Sequence, residues 1–346
     1  MSKEDRLTFA LRSGEIEIPK HGNLVVLRAV ASAALTALAG ERLHCEQSNK
    51  IEAERLDAQG IASQPQLEIQ TANTVIVNTT RDKAETRGQL ARGLSLLPPG
   101  APLLINGNKA DGIDSLTREI AGICGLRANI SKSHGRLISV QRPSLLPTTI
   151  DTWAAAASLR KNADDFWTKP GMFSPDRADE GSIFLAEVIR EGLAKRSGFR
   201  LKGSVADLGA GWGYLSSVCL EADSKITDMS LYEVEYSALE AARRNVRDPR
   251  ARFLWSDVSK LKKDGVGYDA VITNPPFHSG RAADPSLGQA FIFAAARILK
   301  QTGCLLMVAN RHLPYEAALD AAFRQWKPLR ETREFKVMTA TSPRRA

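Results

Sequence analysis

The sequence lacks a long apolar run. Among its 346 residues, no segment reaches the roughly 18–20 uninterrupted apolar residues that a membrane-spanning helix needs, and the run from Ala29 to Ala39 is too short. The segment from Met1 to Arg6 contains no hydrophobic block of the kind that marks a secretory signal. These absences argue against a membrane protein, and we expect the chain to be cytoplasmic.

Cysteines are few and scattered. The four cysteines are Cys45, Cys124, Cys219 and Cys304. They form no C-x-x-C pair, so the sequence predicts neither a disulfide framework nor a zinc knuckle, which fits a reducing compartment. His312 and the other histidines have no partners at metal-ligand spacing, and no Ser–His–Asp or Cys–His arrangement stands out. We therefore expect no bound metal.

Acidic residues are outnumbered by basic ones. The chain has 47 Lys and Arg against 39 Asp and Glu, a formal net charge of +8, and a basic balance attracts polyanions such as nucleic acids. On charge alone, a basic protein without such a partner is an equally good interpretation. Residues 301–346, with 8 basic and 4 acidic side chains, carry the densest part of the excess.

The length predicts two domains, because domains typically have about 100–200 residues. The clearest seam runs from Gln141 to Ile150, where two prolines interrupt the pattern before a helical run from Trp153 to Arg160. We therefore place the domains at 1–150 and 151–346, with the boundary defined to within about ten residues. The apolar share of 43% is typical of a globular protein and allows each domain a core.

The second half alternates apolar strands with amphipathic helices, which is the pattern of a parallel sheet covered on both faces. The predicted strands are 204–208, 227–232, 251–255, 268–273 and 304–309. The predicted helices are 181–195, 214–222, 237–246, 286–300 and 315–323. A closing antiparallel hairpin is predicted at 326–331 and 334–340.

The first half has a similar rhythm. A strand at 74–77, a helix at 83–97, a turn and a strand at 102–105 follow the same order as the elements of the second half around 271–310. Our hypothesis is an old duplication in which the first copy lost its active-site residues. Coincidence between two α/β domains explains the order nearly as well.

The first segment of chemical interest is a glycine-rich loop. Asp207-Leu-Gly209-Ala-Gly211-Trp-Gly213 runs from an apolar strand into a helix. Glycines permit positive φ and a close approach of the backbone to a ligand, and the helix N-terminus adds free N–H groups. A tight turn and a dinucleotide-binding loop are alternatives. The spacing Gly-x-Gly-x-Gly after Asp resembles the first motif of class I S-adenosylmethionine-dependent methyltransferases.

Acidic residues follow the next two strands. Glu233 ends the strand about 20 residues after the loop, where a carboxylate can accept hydrogen bonds from a ribose diol. We prefer Glu233 over Glu235 because Glu233 directly follows the apolar strand. The alternative is that the acid only complements the dipole of the following helix. Asp257 by itself is typical of a helix cap. In the methyltransferase pattern, a side chain at its position lies beside the adenine.

The most specific segment is Asn274-Pro275-Pro276-Phe277-His278, at the end of a buried strand. The prolines hold one backbone shape, so the Asn274 side-chain carbonyl and the Pro275 backbone carbonyl can accept both hydrogens of one planar amine. The amine lone pair is then available to a methyl electrophile, and Phe277 offers a stacking face. The segment resembles the Asn-Pro-Pro-aromatic motif of methyltransferases that act on planar exocyclic or amide nitrogen. His278 is either a substrate contact or a polar cap.

Further segments narrow the resemblance to RsmC-type enzymes, which are bacterial ribosomal RNA guanine-N2 methyltransferases. The similarity is strong over 165–340 and weaker over 70–145, where that family has a degenerate methyltransferase-like domain. The segments that carry it are Lys169 to Ser182, Asn274 to Gly280, Val308 to Tyr315 and Phe335-Lys-Val337.

The resemblance implies an α/β chain with two Rossmann-like methyltransferase domains. The C-terminal domain is then a seven-stranded, mostly parallel sheet that binds S-adenosylmethionine, and the degenerate N-terminal domain engages RNA. The implied reaction methylates the N2 amine of a guanine in ribosomal RNA, most directly in the 16S RNA, with ribosomal RNA or the small subunit as partner. The implied cofactor-binding residues are Asp207, Gly209, Gly211, Gly213, Glu233, Asp257 and Asn274. The implied catalytic residues are Asn274, Pro275, Pro276 and Phe277.

Other functions share part of this pattern. A protein-glutamine N5 methyltransferase suits the same geometry, although such enzymes more often have Tyr in the last motif position. A 23S ribosomal RNA guanine-N2 methyltransferase is a closer alternative. A DNA adenine-N6 methyltransferase is disfavoured because no separate target-recognition domain is evident. An RNA-binding ribosome assembly factor with an inactive cofactor site is opposed by the intact glycines and by Asn274 to Phe277.

Overall fold

The chain forms two compact units. The computed structural model describes residues 5–192, 199–263, 265, 267–276 and 285–344. The first unit comprises Met1–Leu159 with Lys169–Gly171, and the second comprises Arg160–Thr168 with Met172–Ala346. Each unit contains a seven-stranded sheet, and the second also contains a two-stranded ribbon.

The first unit is built from helices and strands in alternation, and it contains the predicted strands at 74–77 and 102–105 and the predicted helix at 83–97. Its elements are α1 (Arg6–Ser13), β1 (Leu24–Leu27), α2 (Ala33–Ala37), β2 (Leu43–Glu46), α3 (Lys50–Asp57), β3 (Ser63–Gln64), β4 (Thr74–Asn78), α4 (Lys83–Leu96), β5 (Pro102–Asn108), α5 (Ile113–Ala121), β6 (Leu126–Lys132), β7 (Gly135–Gln141) and α6 (Thr148–Ala156). A single 3₁₀ turn, Lys109–Asp111, follows β5.

The second unit repeats this alternation. Its elements are β8 (Arg160–Lys161), β9 (Trp167–Thr168), α7 (Glu180–Arg190), β10 (Gly203–Leu208), α8 (Tyr214–Ala222), β11 (Ile226–Glu233), α9 (Tyr236–Asn245), β12 (Ala251–Trp255), β13 (Tyr268–Thr273), α10 (Pro285–Ile298), β14 (Leu299–Asn310), α11 (Glu316–Ala322), β15 (Phe323–Glu331) and β16 (Phe335–Pro343). The predicted strands and the closing antiparallel hairpin are confirmed. The predicted helix 181–195 runs partly into residues outside the described ranges.

The two large sheets have the same strand order. The orders are β3-β2-β1-β4-β5-β7-β6 and β12-β11-β10-β13-β14-β16-β15. Each order reads 3-2-1-4-5-7-6 when the strands of that sheet are numbered along the chain. In each sheet the last strand along the chain runs antiparallel to both of its neighbours, and the other pairings are parallel. The fold class is confirmed, and the shared order supports the predicted duplication.

The central strands of the second sheet are buried on both faces. Val205 and Ile272 contribute to one hydrophobic cluster, whereas their neighbours Ala206 and Val271 contribute to the other. Successive side chains of a strand point to opposite faces, so these apolar runs place helices on both sides of the sheet. The carboxyl ends of β10, β11 and β13 consequently lie on one edge, and the polar residues that follow them meet there.

The first unit extends through α6 to Leu159, beyond the seam predicted at 150. Pro147 occupies the N-cap position of α6 with φ of −72°, so it begins the helix rather than separating the domains. Ile150 and Trp153 are buried in the hydrophobic core of the first unit, close to α4. The predicted helix 153–160 was therefore placed about five residues too late. Among the described helices, none combines the length and hydropathy needed to cross a membrane.

We expect Trp153→Ala to destabilise the first unit alone. Truncation of a buried Trp costs about 3–5 kcal/mol, because it leaves a cavity that neighbouring side chains fill only in part. Fragments of residues 1–159 and 160–346 serve as references for the urea-unfolding transitions of the two units. In the full chain, the variant should lower the midpoint of the transition that matches the 1–159 fragment. A shift confined to the transition of a 160–346 fragment would place α6 in the second domain instead.

Candidate methyltransferase site

The glycine loop after β10 needs glycine at all three predicted positions. Gly209, Gly211 and Gly213 have φ of 74°, 55° and 92°, in the left-handed region that side chains rarely adopt. A Cβ on Gly209 would lie 3.0 Å from the ring of Phe291, whereas a Cβ on Gly211 would meet nothing within 4 Å. Gly211 thus borders open space, where a ligand can approach the backbone.

Asp207 is a buried carboxylate with one unused oxygen. It is 1% exposed, and its Oδ2 accepts a hydrogen bond of 2.7 Å from the Ser216 hydroxyl. Its Oδ1 has no hydrogen-bond partner among the described residues. Burial raises the pKa of this carboxyl to about 7, and the negative charge of Glu233 adds to the rise. A buried acceptor without a partner is costly, so its presence points to a ligand that donates to it.

Glu233 ties the glycine loop to the end of β11. Its Oε2 accepts a hydrogen bond of 2.8 Å from the Gly211 N–H, and its Oε1 accepts one of 2.9 Å from the Glu235 N–H. Burial raises the pKa of the Glu233 carboxyl. A carboxylate has about four acceptor positions, so each oxygen can still accept a ligand hydroxyl. Glu235 is half-buried, and its Oε1 accepts a hydrogen bond of 3.5 Å from the Ser237 hydroxyl.

The loop offers few N–H groups to a ligand. The N–H groups of Gly209 and Ala210 both donate to the Tyr232 carbonyl, and that of Gly211 donates to Glu233. A phosphate-binding loop presents such groups to an anion. Here they are consumed internally and two buried acids stand beside them, so the geometry favours a cationic ligand over a pyrophosphate.

Asp257 caps a short 3₁₀ turn, Val258–Lys260. Its Oδ1 accepts hydrogen bonds from the Ser259 N–H at 2.9 Å and the Ser259 hydroxyl at 2.7 Å, and its Oδ2 lies 3.8 Å from the Lys260 ammonium. The side chain is 8% exposed. These contacts explain its position as a helix cap, and any contact with an adenine stays a prediction.

Asn274 is held beside the glycine loop by contacts from two elements. The preceding residue, Thr273, donates its hydroxyl hydrogen to the Leu208 carbonyl at 2.7 Å, which joins the ends of β13 and β10. The Asn274 Nδ2 donates to Asp179 Oδ2 at 2.8 Å and to the Ser182 hydroxyl at 2.9 Å. A carboxylate only accepts hydrogen bonds, so Asp179 fixes which end of the amide is nitrogen. The Oδ1 atom receives no hydrogen bond from the described residues.

A small open cleft of about 40 Å³ lies between Asn274 and the glycine loop. Asn274, the glycine loop and the start of α7 line it, together with Phe173, whose side chain is 59% exposed. Of the two prolines that follow Asn274 in the sequence, Pro275 is buried and Pro276 is exposed. Phe277 and His278 lie outside the described residues. No group of three or more potential metal ligands occurs in the described part of the chain.

Several residues of the site were not predicted. Asp179 and Ser182 form the N-cap of α7, with the Ser182 N–H donating to Asp179 at 3.1 Å, and this D-x-x-S cap pattern is visible in the sequence. Trp212 also lines the cleft, packs on Phe166 at 5.1 Å between ring centroids, and donates its indole N–H to the Phe173 carbonyl at 3.0 Å. A bulky residue therefore fits in the glycine loop because its side chain has these packing and hydrogen-bond partners.

The corresponding positions of the first unit are closed. Leu27 pairs with Val77 as Leu208 pairs with Thr273, so Arg28 corresponds to Gly209 and Asn78 to Asn274. Arg28 has φ of 53° and forms an ion pair with Glu85. The Oδ1 of Asn78 accepts a hydrogen bond of 2.8 Å from the Asn106 amide. By the same register, Asp207 is replaced by Val26, which is fully buried.

We expect Asp207→Asn to stabilise the cofactor-free protein by an amount that grows between about pH 4 and pH 7. A carboxyl whose folded-state pKa is raised from 3.8 to about 7 loses folding free energy as the pH rises through that window, and Asn does not titrate. The difference between variant and wild type should grow by up to about 1.4 kcal/mol per pH unit in urea unfolding. Asp228→Asn, on the neighbouring strand, is the control. An unchanging Asp207→Asn difference would disprove the assigned pKa.

Comparisons with known proteins agree with this geometry. A family model described as "Methyltransferase small domain" matches residues 164–339. The ribosomal RNA small subunit methyltransferase C of Yersinia pseudotuberculosis is 33% identical over 277 residues, covering 78% of this chain and 74% of that protein. The protein of the same name from Yersinia pestis has the same identity and coverage.

A solved structure shares the complete two-domain fold. It is described as "T. Thermophilus 16S rRNA N2 G1207 methyltransferase (RsmC) in complex with AdoMet and Guanosine". Its TM-score is 0.78 at 22% identity, and the match covers 94% of this chain and 90% of that one. Together with the identity to the curated relatives, this establishes that the chain belongs to the ribosomal RNA small subunit methyltransferase C (RsmC) family.

Proposed function

We propose that this protein transfers the methyl group of S-adenosylmethionine to the exocyclic N2 amine of a guanine in 16S ribosomal RNA. Its relatives are named as methyltransferases of small-subunit ribosomal RNA. The observation that carries the proposal is the fixed orientation of Asn274, whose amide nitrogen is bound by Asp179 and Ser182 while its carbonyl oxygen is left for an amine.

Asn274 acts by positioning the substrate. An amine attached to a planar ring has two hydrogens in the ring plane, and the Asn274 carbonyl with the Pro275 backbone carbonyl can accept both. Bound S-adenosylmethionine supplies an electrophilic methyl group. Orientation of reacting groups supplies much of the rate in such a displacement, and a misplacement of about 1 Å can reduce the rate a hundredfold. Phe277 is proposed to stack on the guanine.

The cofactor site is proposed to extend along the carboxyl ends of β10, β11 and β12. Asp207, with its unpartnered oxygen, and the glycine loop would hold the cationic methionine part. Glu233 would accept hydrogen bonds from the ribose hydroxyls, and Asp257 would lie beside the adenine. The residues fit such a group because the loop consumes its own N–H donors and leaves acidic acceptors.

The N-terminal domain is proposed to bind RNA rather than the cofactor. Its Arg28, Val26 and Asn78 stand where the catalytic domain has Gly209, Asp207 and Asn274. The proposed partner is ribosomal RNA or the small ribosomal subunit. The protein would then be located in the cytoplasm.

We expect Asn274→Ala to reduce N2-methylguanosine formation at least about a hundredfold, because the amine loses its orienting acceptor. Purified protein, S-adenosylmethionine and 16S RNA or small subunits from a deletion strain provide the assay, with the product identified by mass mapping of nucleosides. Cofactor affinity measured by calorimetry should change little.

Ser182→Ala serves as the graded control. It removes one of two acceptors that hold the Asn274 amide, and the loss of one hydrogen bond of about 1 kcal/mol predicts a roughly fivefold decrease. Full activity of Asn274→Ala would refute its role. Methylation of a glutamine side chain instead of RNA, or cofactor binding without any transfer, would favour the protein methyltransferase or the assembly factor, respectively.

We expect Glu233→Gln and Asp207→Asn to weaken cofactor binding at least about tenfold, because charged hydrogen bonds are worth about 1.5–3 kcal/mol. The wild-type affinity should fall as the pH drops below about 7, where Asp207 becomes protonated, and the Asp207→Asn affinity should not. Calorimetric titration with S-adenosylmethionine at several pH values measures both effects. Equal affinities of wild type and both variants would exclude these residues from the cofactor site.

A further inference from the structure

A second concave surface lies on the catalytic domain, away from the cleft. It is a groove of about 660 Å³ between α10, the start of β14 and the end of β16, and we call it the basal groove. Four cations line it, together with an aromatic ring and small apolar side chains. The cations are Lys262, Lys263, Arg297 and Arg344, and the ring is that of Phe293.

The two arginines are fixed without being neutralised. Arg297 donates from Nε to the Leu261 carbonyl at 3.0 Å and from Nη2 to the Ser259 carbonyl at 2.7 Å. Arg344 donates from Nε to the backbone carbonyls of Asp320 and Phe323, each at 3.1 Å. Backbone carbonyls orient a guanidinium but leave its charge in place, and further N–H donors remain on each group.

The lysines of the groove are exposed. No carboxylate among the described residues lies within ion-pairing distance of Lys262, Lys263, Arg297 or Arg344, and none lines the groove. Asp264 adjoins the lysines in sequence and lies outside the described residues. A concave surface with four positive charges that no described carboxylate compensates concentrates anions.

Phe293 adds a feature that a simple anion does not need. It lies one helical turn before Arg297 on α10, and its ring is 38% exposed, in contrast to the buried Ile292 and Ala294 beside it. Exposed aromatic rings beside cations are the arrangement that binds single-stranded nucleic acids, because bases stack on the ring while phosphates contact the cations. The groove therefore fits a nucleotide chain better than an isolated phosphate.

The groove lies at the opposite end of the sheet from the cleft. Tyr268 pairs with Leu299 at the start of β13, and Thr273 pairs with Met307 at its end, directly before Asn274. Five residues of strand separate the two levels, which corresponds to about 17 Å. One RNA molecule can therefore contact both surfaces only if it runs along the catalytic domain.

We infer that the basal groove binds single-stranded or unpaired ribosomal RNA, with phosphates on Lys262, Lys263 and the two arginines and a base stacked on Phe293. This inference rests on the proposed function for the identity of the RNA. It assigns the catalytic domain an RNA contact of its own, outside the cleft and in addition to that of the N-terminal domain. The contact holds the substrate at a second point while a guanine enters the cleft.

The test measures binding of a 16S ribosomal RNA transcript as a function of salt. In the variant Lys262→Gln/Lys263→Gln, the slope of log affinity against log salt should fall by about 1.4, because each phosphate contact of a single strand contributes about 0.7. The matched control is Arg247→Gln/Arg252→Gln, which removes the same charge from exposed positions beside and on β12, the far edge strand of the sheet. Its slope should match that of the wild type.

Phe293 is tested separately. Phe293→Leu should weaken binding roughly fivefold to a hundredfold without changing the salt slope, because stacking is not electrostatic. Phe293→Tyr should bind like the wild type. Calorimetry with S-adenosylmethionine should give the wild-type affinity for every groove variant, which verifies an intact fold.

The outcomes separate this inference from the proposed function. Wild-type slopes in the Lys262→Gln/Lys263→Gln variant, equal losses in the control, or competition by polyglutamate as effective as that by unlabelled transcript would each overturn the groove assignment, whether or not the protein methylates RNA. If the Lys262→Gln/Lys263→Gln variant lowers the salt slope of RNA binding but the wild-type protein transfers no methyl group, the inference is supported and the proposed function is refuted.

Discussion

The cleft between the glycine loop and Asn274 depends on the parallel pairing of β10 with β13. The strand order reverses at this pair, because β11 and β12 follow on one side and β14 on the other, and the connections diverge to leave a crevice at the carboxyl ends. The hydroxyl of Thr273 on the Leu208 carbonyl joins the two strand ends within that crevice. The glycine loop and Asn274 are distant in sequence, and this one contact region places them together.

The same crevice contains charges that the fold alone does not need. Asp207 and Glu233 are both buried, and each raises the free energy of the other when ionised. Only Glu233 has backbone N–H donors to both oxygens. The domain tolerates this arrangement because its central strands are fully buried in two hydrophobic clusters. The ionised form of Asp207 therefore lowers the stability of the domain.

The sequence predicted local features better than distant contacts. The bounds of β12, β13 and α8 agree with prediction because apolar runs are bounded by polar residues and glycine. The first unit ends after the predicted seam at 150, because Pro147 begins a helix that packs into the core of that unit. The Asn274 contacts with Asp179 and Ser182 span 95 and 92 positions of the chain, and no spacing pattern encodes a pairing at that distance.

The left-handed turn at Arg28 has an evolutionary consequence. A non-glycine residue in this conformation costs roughly 1–2 kcal/mol, yet the first domain keeps the turn that Gly209 makes in the second. The ion pair with Glu85 and the hydrogen bond from the Asn78 amide to the Arg28 carbonyl hold it. Substitution of Arg28 by glycine would break that pair without supplying an acid, because Val26 occupies the position that corresponds to Asp207. A cofactor site like that of the second domain would therefore need at least two substitutions in the first domain, at Arg28 and at Val26.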